Sequence, residues 1–162
     1  MAATYTPIAT TTLGSATPSY TFSSISGSYT DLILVFSGTT ATDNDGYFIQ
    51  LNSDTGSNYS NTVMTGNGST ATSSRSTSTT SFYAANNSSS TSPDTLLVQF
   101  QNYSNATTYK TMLSRLTNTP NRTAASVGLW RSTAAINSIK VMGASSNLNA
   151  GCTLTLYGIQ AA

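Results

Sequence analysis

With 162 residues, six Lys or Arg, five Asp and a formal charge of +1, the chain fits one domain and is charged at only 7% of its positions, against about a quarter in ordinary soluble domains. Histidine and glutamate are absent and Cys152 is the only cysteine, which excludes Ser-His-Asp and Cys-His nucleophilic catalysis and any intrachain disulfide. The cations Arg75, Lys110, Arg115, Arg122, Arg131 and Lys140 are dispersed and nearly matched by Asp31, Asp43, Asp45, Asp54 and Asp94, so no basic stripe marks a nucleic-acid partner.

In chain order, residues 1–19 mix Thr and Ala with Pro7, Gly14 and Pro18. They carry no periodic apolar face and read as an extended N-terminal arm before a domain spanning 20–162. The start lacks a basic segment followed by an apolar one, and no later window approaches a membrane span, so a chain left soluble, with no membrane partner, is expected. From Tyr20 the pattern alternates, with Phe22 and Ile25 on the side of Tyr20, and 31–37 (DLILVFS) is a nearly continuous apolar run of the kind found in strands covered on both faces. Further strands are predicted over 47–51, 61–65, 79–84, 95–103, 108–116, 124–130, 136–142 and 152–159. Asp45-Gly46, Thr55-Gly56, Asn67-Gly68, Asn86-Asn87, Asn118 to Pro120 and Asn147 to Gly151 separate them, as residues that reach positive φ or bond their own backbone do.

Ser, Thr and Asn make up 71 of the 162 residues. Neutral hydroxyls and amides solubilise without self-repulsion, and β-branched Thr suits a pleated strand. No window carries a helical stripe, and nine or ten short strands at spacings of about ten to fifteen residues predict an all-β antiparallel jelly-roll β-sandwich. Two Ser/Thr/Asn stretches, 66–80 and 86–92, read as loops at one end of the sandwich, either contact-bearing or solvated spacers.

The search for chemistry returns no catalytic, metal or cofactor residues. Asp54-Thr55-Gly56 matches the short aspartic-protease triplet, but Leu51-Asn52-Ser53 before it is polar where that strand needs apolar residues; a tight turn is the simpler reading. Asp43-Asn44-Asp45-Gly46 is the densest oxygen cluster, yet aligned as a calcium loop on Gly46 it puts Ala41 at the first ligand position. Nine tyrosines and Trp130 allow a sugar-stacking platform, though most lie in strand patterns and suit core or interface. The inventory points to a structural part, not an enzyme.

The series Tyr20-Thr-Phe22 to Ile25, Tyr29-Thr-Asp31-Leu32-Ile33-Leu34-Val35, Leu51-Asn52-x-Asp54-Thr55-Gly56-Ser57-Asn58-Tyr59-Ser60, Asn102-Tyr103 with Lys110-Thr111, Gly128-Leu129-Trp130-Arg131-Ser132, Ala135-Ile136-x-x-Ile139 and Leu154 to Ile159 resembles small virion structural proteins of tailed bacteriophages of cyanobacteria and marine bacteria. The resemblance implies a jelly-roll protein on the particle exterior, commonly trimeric: a capsid cement (decoration) protein bound to the major capsid protein, or alternatively a tail-fibre component that contacts tail proteins or host-surface glycan. It implies no cofactor. Because a fibre needs a shaft that this chain lacks, the cement role is preferred. Tyr5, Pro7 and Ile8 on the arm, with Phe36, Phe48, Phe100, Trp130 and Arg131, are the candidate interface residues.

Overall fold

The computed structural model describes residues 4–118 and 122–160; the predicted turn at 118–120 falls mostly outside them. Twelve strands occur among the described residues: β1 (Tyr5–Thr12), β2 (Ser19–Phe22), β3 (Asp31–Gly38), β4 (Gly46–Leu51), β5 (Tyr59–Gly66), β6 (Ala71–Thr79), β7 (Phe82–Asn86), β8 (Asp94–Phe100), β9 (Lys110–Asn118), β10 (Arg122–Trp130), β11 (Ile139–Gly143) and β12 (Thr153–Ile159). They form an antiparallel jelly-roll β-sandwich. An eight-stranded sheet in the order β1-β12-β3-β8-β9-β10-β5-β6 is stacked on a four-stranded sheet in the order β2-β11-β4-β7.

Alternation builds the core. In β10 the burial pattern from Thr123 onward sends Ala124, Ser126, Gly128 and Trp130 inward and Thr123, Ala125 and Val127 outward, and β8 likewise buries Leu96, Val98 and Phe100. Facing them from the smaller sheet are Ile49, Leu51, Phe82, Ile139 and Val141, all at 0% exposure. Each large apolar side chain buried this way stabilises the fold by about 1.5–3 kcal/mol. Gly128 is needed at its position because a Cβ there would run into the Phe82 ring. Gly38 similarly leaves room for Cys152, which is buried with its Sγ 3.3 Å from the Thr39 carbonyl oxygen.

Two inward serines join the layers. Ser114 Oγ donates to the Ala84 carbonyl, and Ser126 Oγ donates to the Tyr83 carbonyl at 2.8 Å. These bonds satisfy backbone acceptors of β7, an edge strand of the smaller sheet, that would otherwise be buried without partners.

Three expectations about the chain's organisation change. Residues 5–12 are extended as anticipated, but they pair with β12 from Tyr5↔Ile159 to Thr12↔Thr153, and Leu13 joins the core; the segment belongs to the domain and is not a free arm. The Ser/Thr stretch at 66–80 is largely strand β6, hydrogen-bonded to β5. The second stretch, 86–92, is tied down: Ser88 and Ser89 are buried, the Ser88 and Thr40 hydroxyls lie 2.6 Å apart, and Ser89 N donates to Asp94 Oδ2.

The turn between β4 and β5 is held by Asp54. Its Oδ2 accepts from Trp130 Nε1 at 2.6 Å and from Asn58 Nδ2 at 2.9 Å, and its Oδ1 accepts from Gly56 N at 2.8 Å. Burial pushes this carboxyl's pKa up, but the bonds from Trp130, Asn58 and Gly56 outweigh it and hold the group below its ordinary 3.8. A depressed folded-state pKa contributes stability that is present above the unfolded value and lost as pH falls through the folded one. Asp54→Asn therefore flattens the acid limb of the stability curve below about pH 4. The check is thermal unfolding against pH; an acid limb as steep as that of the unsubstituted protein would contradict the assignment.

Candidate functional site

The outer face of the eight-stranded sheet is the feature the core does not account for. Strands β9 and β10 turn Thr111, Leu113 and Arg115, and Ala125 and Val127, to solvent. Their neighbours extend these positions into rows that cross the strands. One row reads Tyr157, Ile33, Gln99, Leu113, Val127, Thr62, Arg75. The next reads Thr155, Val35, Leu97, Arg115, Ala125, Met64, Ser73. Each spans six strand spacings, roughly 29 Å.

Large apolar groups are exposed here: Leu113 at 44%, Val127 at 58% and Met64 at 63%. Three shallow depressions adjoin one another along the rows. One of about 220 Å³ lies between Thr62, Arg75, Thr111 and Val127; one of about 190 Å³ between Gln101, Leu113 and Val127; and one of about 220 Å³ between Leu97, Gln99, Leu113 and Arg115.

The electrostatics have one sign. Arg75 and Arg115 are exposed, and neither guanidinium has a hydrogen-bond or ion-pair partner among the described residues. Three strand spacings and one row separate them, a backbone distance of roughly 16 Å. No carboxylate stands in either row. Asp31, at the start of β3, accepts from Asn102 N. Asp43 Oδ1 accepts from Ser90 N and Oγ, which lowers its pKa. Asp45 Oδ1 takes the N–H and hydroxyl of Ser145, and Oδ2 those of Ser146. The oxygen cluster at 43–46 is thus a loop clasp, and no group of three His, Cys, Asp or Glu side chains among the described residues is placed to hold a metal.

Other polar groups are inside. Asp94 is fully buried, its Oδ2 accepting from Tyr47 Oη at 2.7 Å, and desolvation raises its pKa despite bonds from Tyr47 and Ser89. Burial also raises Tyr47, and brings Tyr59 up to about 12. Lys110 is 1% exposed, its Nζ donating to the carbonyls of Thr108 and Thr133, and burial lowers its pKa. The accessible chemistry of the outer face is therefore that of guanidinium, amide and hydroxyl groups around an aliphatic floor, suited to gripping an anionic, hydroxyl-bearing ligand.

The residues expected at an interface are not brought together. Phe36, Phe100 and Trp130 are buried in the protomer's own core, which corrects their assignment: the strand parity that faces them inward leaves nothing for a neighbour to touch. Tyr5 and Pro7 are exposed on edge strand β1, with Tyr5 packed edge-on against Tyr157 at 6.5 Å. Ile8 packs against the core. Phe48 stacks on Tyr83 at 4.8 Å in the smaller sheet, and Arg131 Nη2 donates to the Ser57 carbonyl. Sequence reading missed Arg75, Gln99, Leu113, Arg115 and Val127. A signal was present in β9, where apolar residues occupy both parities, Met112 and Leu116 on one side and Leu113 on the other.

No family model and no curated protein matches the chain. Among solved structures it is similar to the alginate lyase Aly36B, at 10% identity and a TM-score of 0.39 over 93% of this chain and 77% of that one. It is also similar to the marine PL-14 alginate lyase from Aplysia kurodai, at 10% identity and a TM-score of 0.31 over 85% and 72%. This corrects the sequence expectation on two points. Both structures are named as alginate lyases, which are enzymes, and neither is a bacteriophage protein; the capsid-cement and tail-fibre function and the expectation of a non-enzyme are not carried further. At these scores the likeness transfers no substrate and no catalytic residue to this chain.

Proposed function

We propose that the chain binds a linear acidic polysaccharide laid across the strands on the outer face of the eight-stranded sheet. The reading is carried by one observation: two exposed arginines without partners among the described residues, Arg75 and Arg115, stand in crossing rows that hold no carboxylate. A guanidinium matches a carboxylate with two parallel hydrogen bonds, and Arg is the side chain suited to that recognition. The separation of the two arginines suits an extended polymer and not a single small anion. Thr62 between them, Thr111 beside them and Gln99 and Gln101 on the far side of β9 offer partners to sugar hydroxyls, while Leu113 and Val127 floor the track against the apolar faces of sugar rings. A neutral sugar platform fits less well, because the middle of both rows has no aromatic ring to stack on.

Affinity electrophoresis through gels containing a polyuronate or a neutral glucan tests this. The protein is retarded by the polyuronate and not by the glucan, and added salt releases it, since exposed charge pairs are screened. Equal mobility in the two gels would sink the reading.

A further inference from the structure

We infer that two copies of this chain associate through edge strand β6, pairing antiparallel about a two-fold axis so that their eight-stranded sheets become one. The other three sheet edges are protected. β1 carries Pro7 and a register shift between Pro7 and Ala9, β2 has only four residues, and the β7 carbonyls of Tyr83 and Ala84 are taken by Ser126 and Ser114. Short strands, prolines, irregularities and local capping are the ordinary defences against edge-to-edge pairing.

β6 has one irregularity, confined to its last residues, where the register shifts between Tyr59 and Ser60 and Ser78 takes a positive φ; the seven residues before it have none of these defences. The strand runs nine residues without proline or lysine, and its register against β5 is unbroken from Ser60↔Thr77 to Gly66↔Ala71. Residues 71–78 are exposed on both faces of the strand, so the ladder to β5 is what holds it, and its outer row of N–H and C=O groups faces solvent. A strand that buries none of its own side chains is shaped by what it pairs with.

Charge favours a second copy as the occupant. Arg75 is the only charged residue in 71–79, so two copies of the strand oppose each other only if that residue meets itself. A side chain keeps its face under a two-fold axis normal to the sheet, which allows pairing about Ser74. Ser74 then meets its own copy, Thr72 lies opposite Ser76 of the second copy, and Arg75 lies opposite Ser73 of the second copy. Cross-strand hydroxyl pairs support such a ladder, and the isologous arrangement uses up both copies of β6 and leaves only the protected β1 edges. This association does not depend on what the outer face binds.

Sedimentation equilibrium of the intact chain over a wide concentration range is the test. The mass rises with concentration from one chain, 16.9 kDa, to two. Ser74→Lys with Ser76→Lys places like charges along the paired edge while touching no core residue, and weakens association at least tenfold with an unchanged circular dichroism spectrum. Leu113→Ser, on the face of the sheet, leaves it unchanged. A wild type that stays a single chain at every concentration, a limiting mass of three chains, a lysine variant that associates as tightly, or association abolished by Leu113→Ser overturns the proposal.

Discussion

Replacing Trp130 with alanine lowers the unfolding free energy by about 4 kcal/mol, the range measured for removing a large buried aromatic. Trp130 is 2% exposed, stacks with Tyr59 at 6.3 Å between ring centroids, and donates to the Asp54 carboxylate that holds the β4–β5 turn. The substitution opens a cavity at one end of the sandwich and removes a charge-assisted hydrogen bond together, so the turn and the core loosen as one unit. Single domains have about 5–15 kcal/mol in total, which makes this loss a large share. The unfolding midpoint falls by about 8–16 °C for a chain of this size. Trp130→Phe separates the two contributions: it keeps a ring and loses the N–H, and its expected cost is about 1–3 kcal/mol. A midpoint unmoved in Trp130→Ala would mean that the ring is not part of the cooperative core.

The combined substitution Arg75→Ala with Arg115→Ala reduces polyuronate affinity about a hundredfold, and each single change about tenfold. A hydrogen bond to a charged partner contributes about 1.5–3 kcal/mol, exposure takes each arginine to the low end of that range, and about 1.4 kcal/mol is tenfold in affinity. Both side chains are exposed and neither is tied to another of the described residues, so thermal stability stays within about 0.5 kcal/mol. Arg115→Lys keeps the charge but loses the planar fork, and recovers only part of the affinity. Lys140→Ala, on β11 of the opposite sheet, is the control for a general charge effect and leaves binding unchanged. Isothermal titration calorimetry reads all five variants; a double variant that binds like the unsubstituted chain removes the arginines from the site.

The parts of the fold that were legible in the sequence are those where one face is apolar and the other is not. In β10 the inward Ala124, Ser126, Gly128 and Trp130 alternate with outward partners, and turns such as Asp45-Gly46 stood out by their chemistry. β6 was illegible because ATSSRSTST is polar on both faces, so a strand held only by its neighbour's backbone has no periodic signal. β1 was read as an arm because Thr and Pro hide a pairing that depends on β12, nearly the whole chain away. The candidate site was hidden for the opposite reason. Its apolar residues share strands with core residues, and a strand such as 31–37 that is apolar at both parities does not say which side faces inward. The interface assignment of Phe36 rests on that ambiguity, and only the pairing of strands decides for the core. The aspartates were legible as turn formers by type, since Asp54 bonds the Gly56 N–H two residues on, whereas the long-range clasps of Asp45 on Ser145 and Ser146 were not.

The sealed position of Cys152, packed beneath Gly38 with burial raising its pKa, makes the native chain silent to thiol reagents while folded. A cysteine introduced anywhere on its surface is then a unique attachment point for a dye or spin label, and reaction at Cys152 itself becomes a clock for the opening of the sandwich.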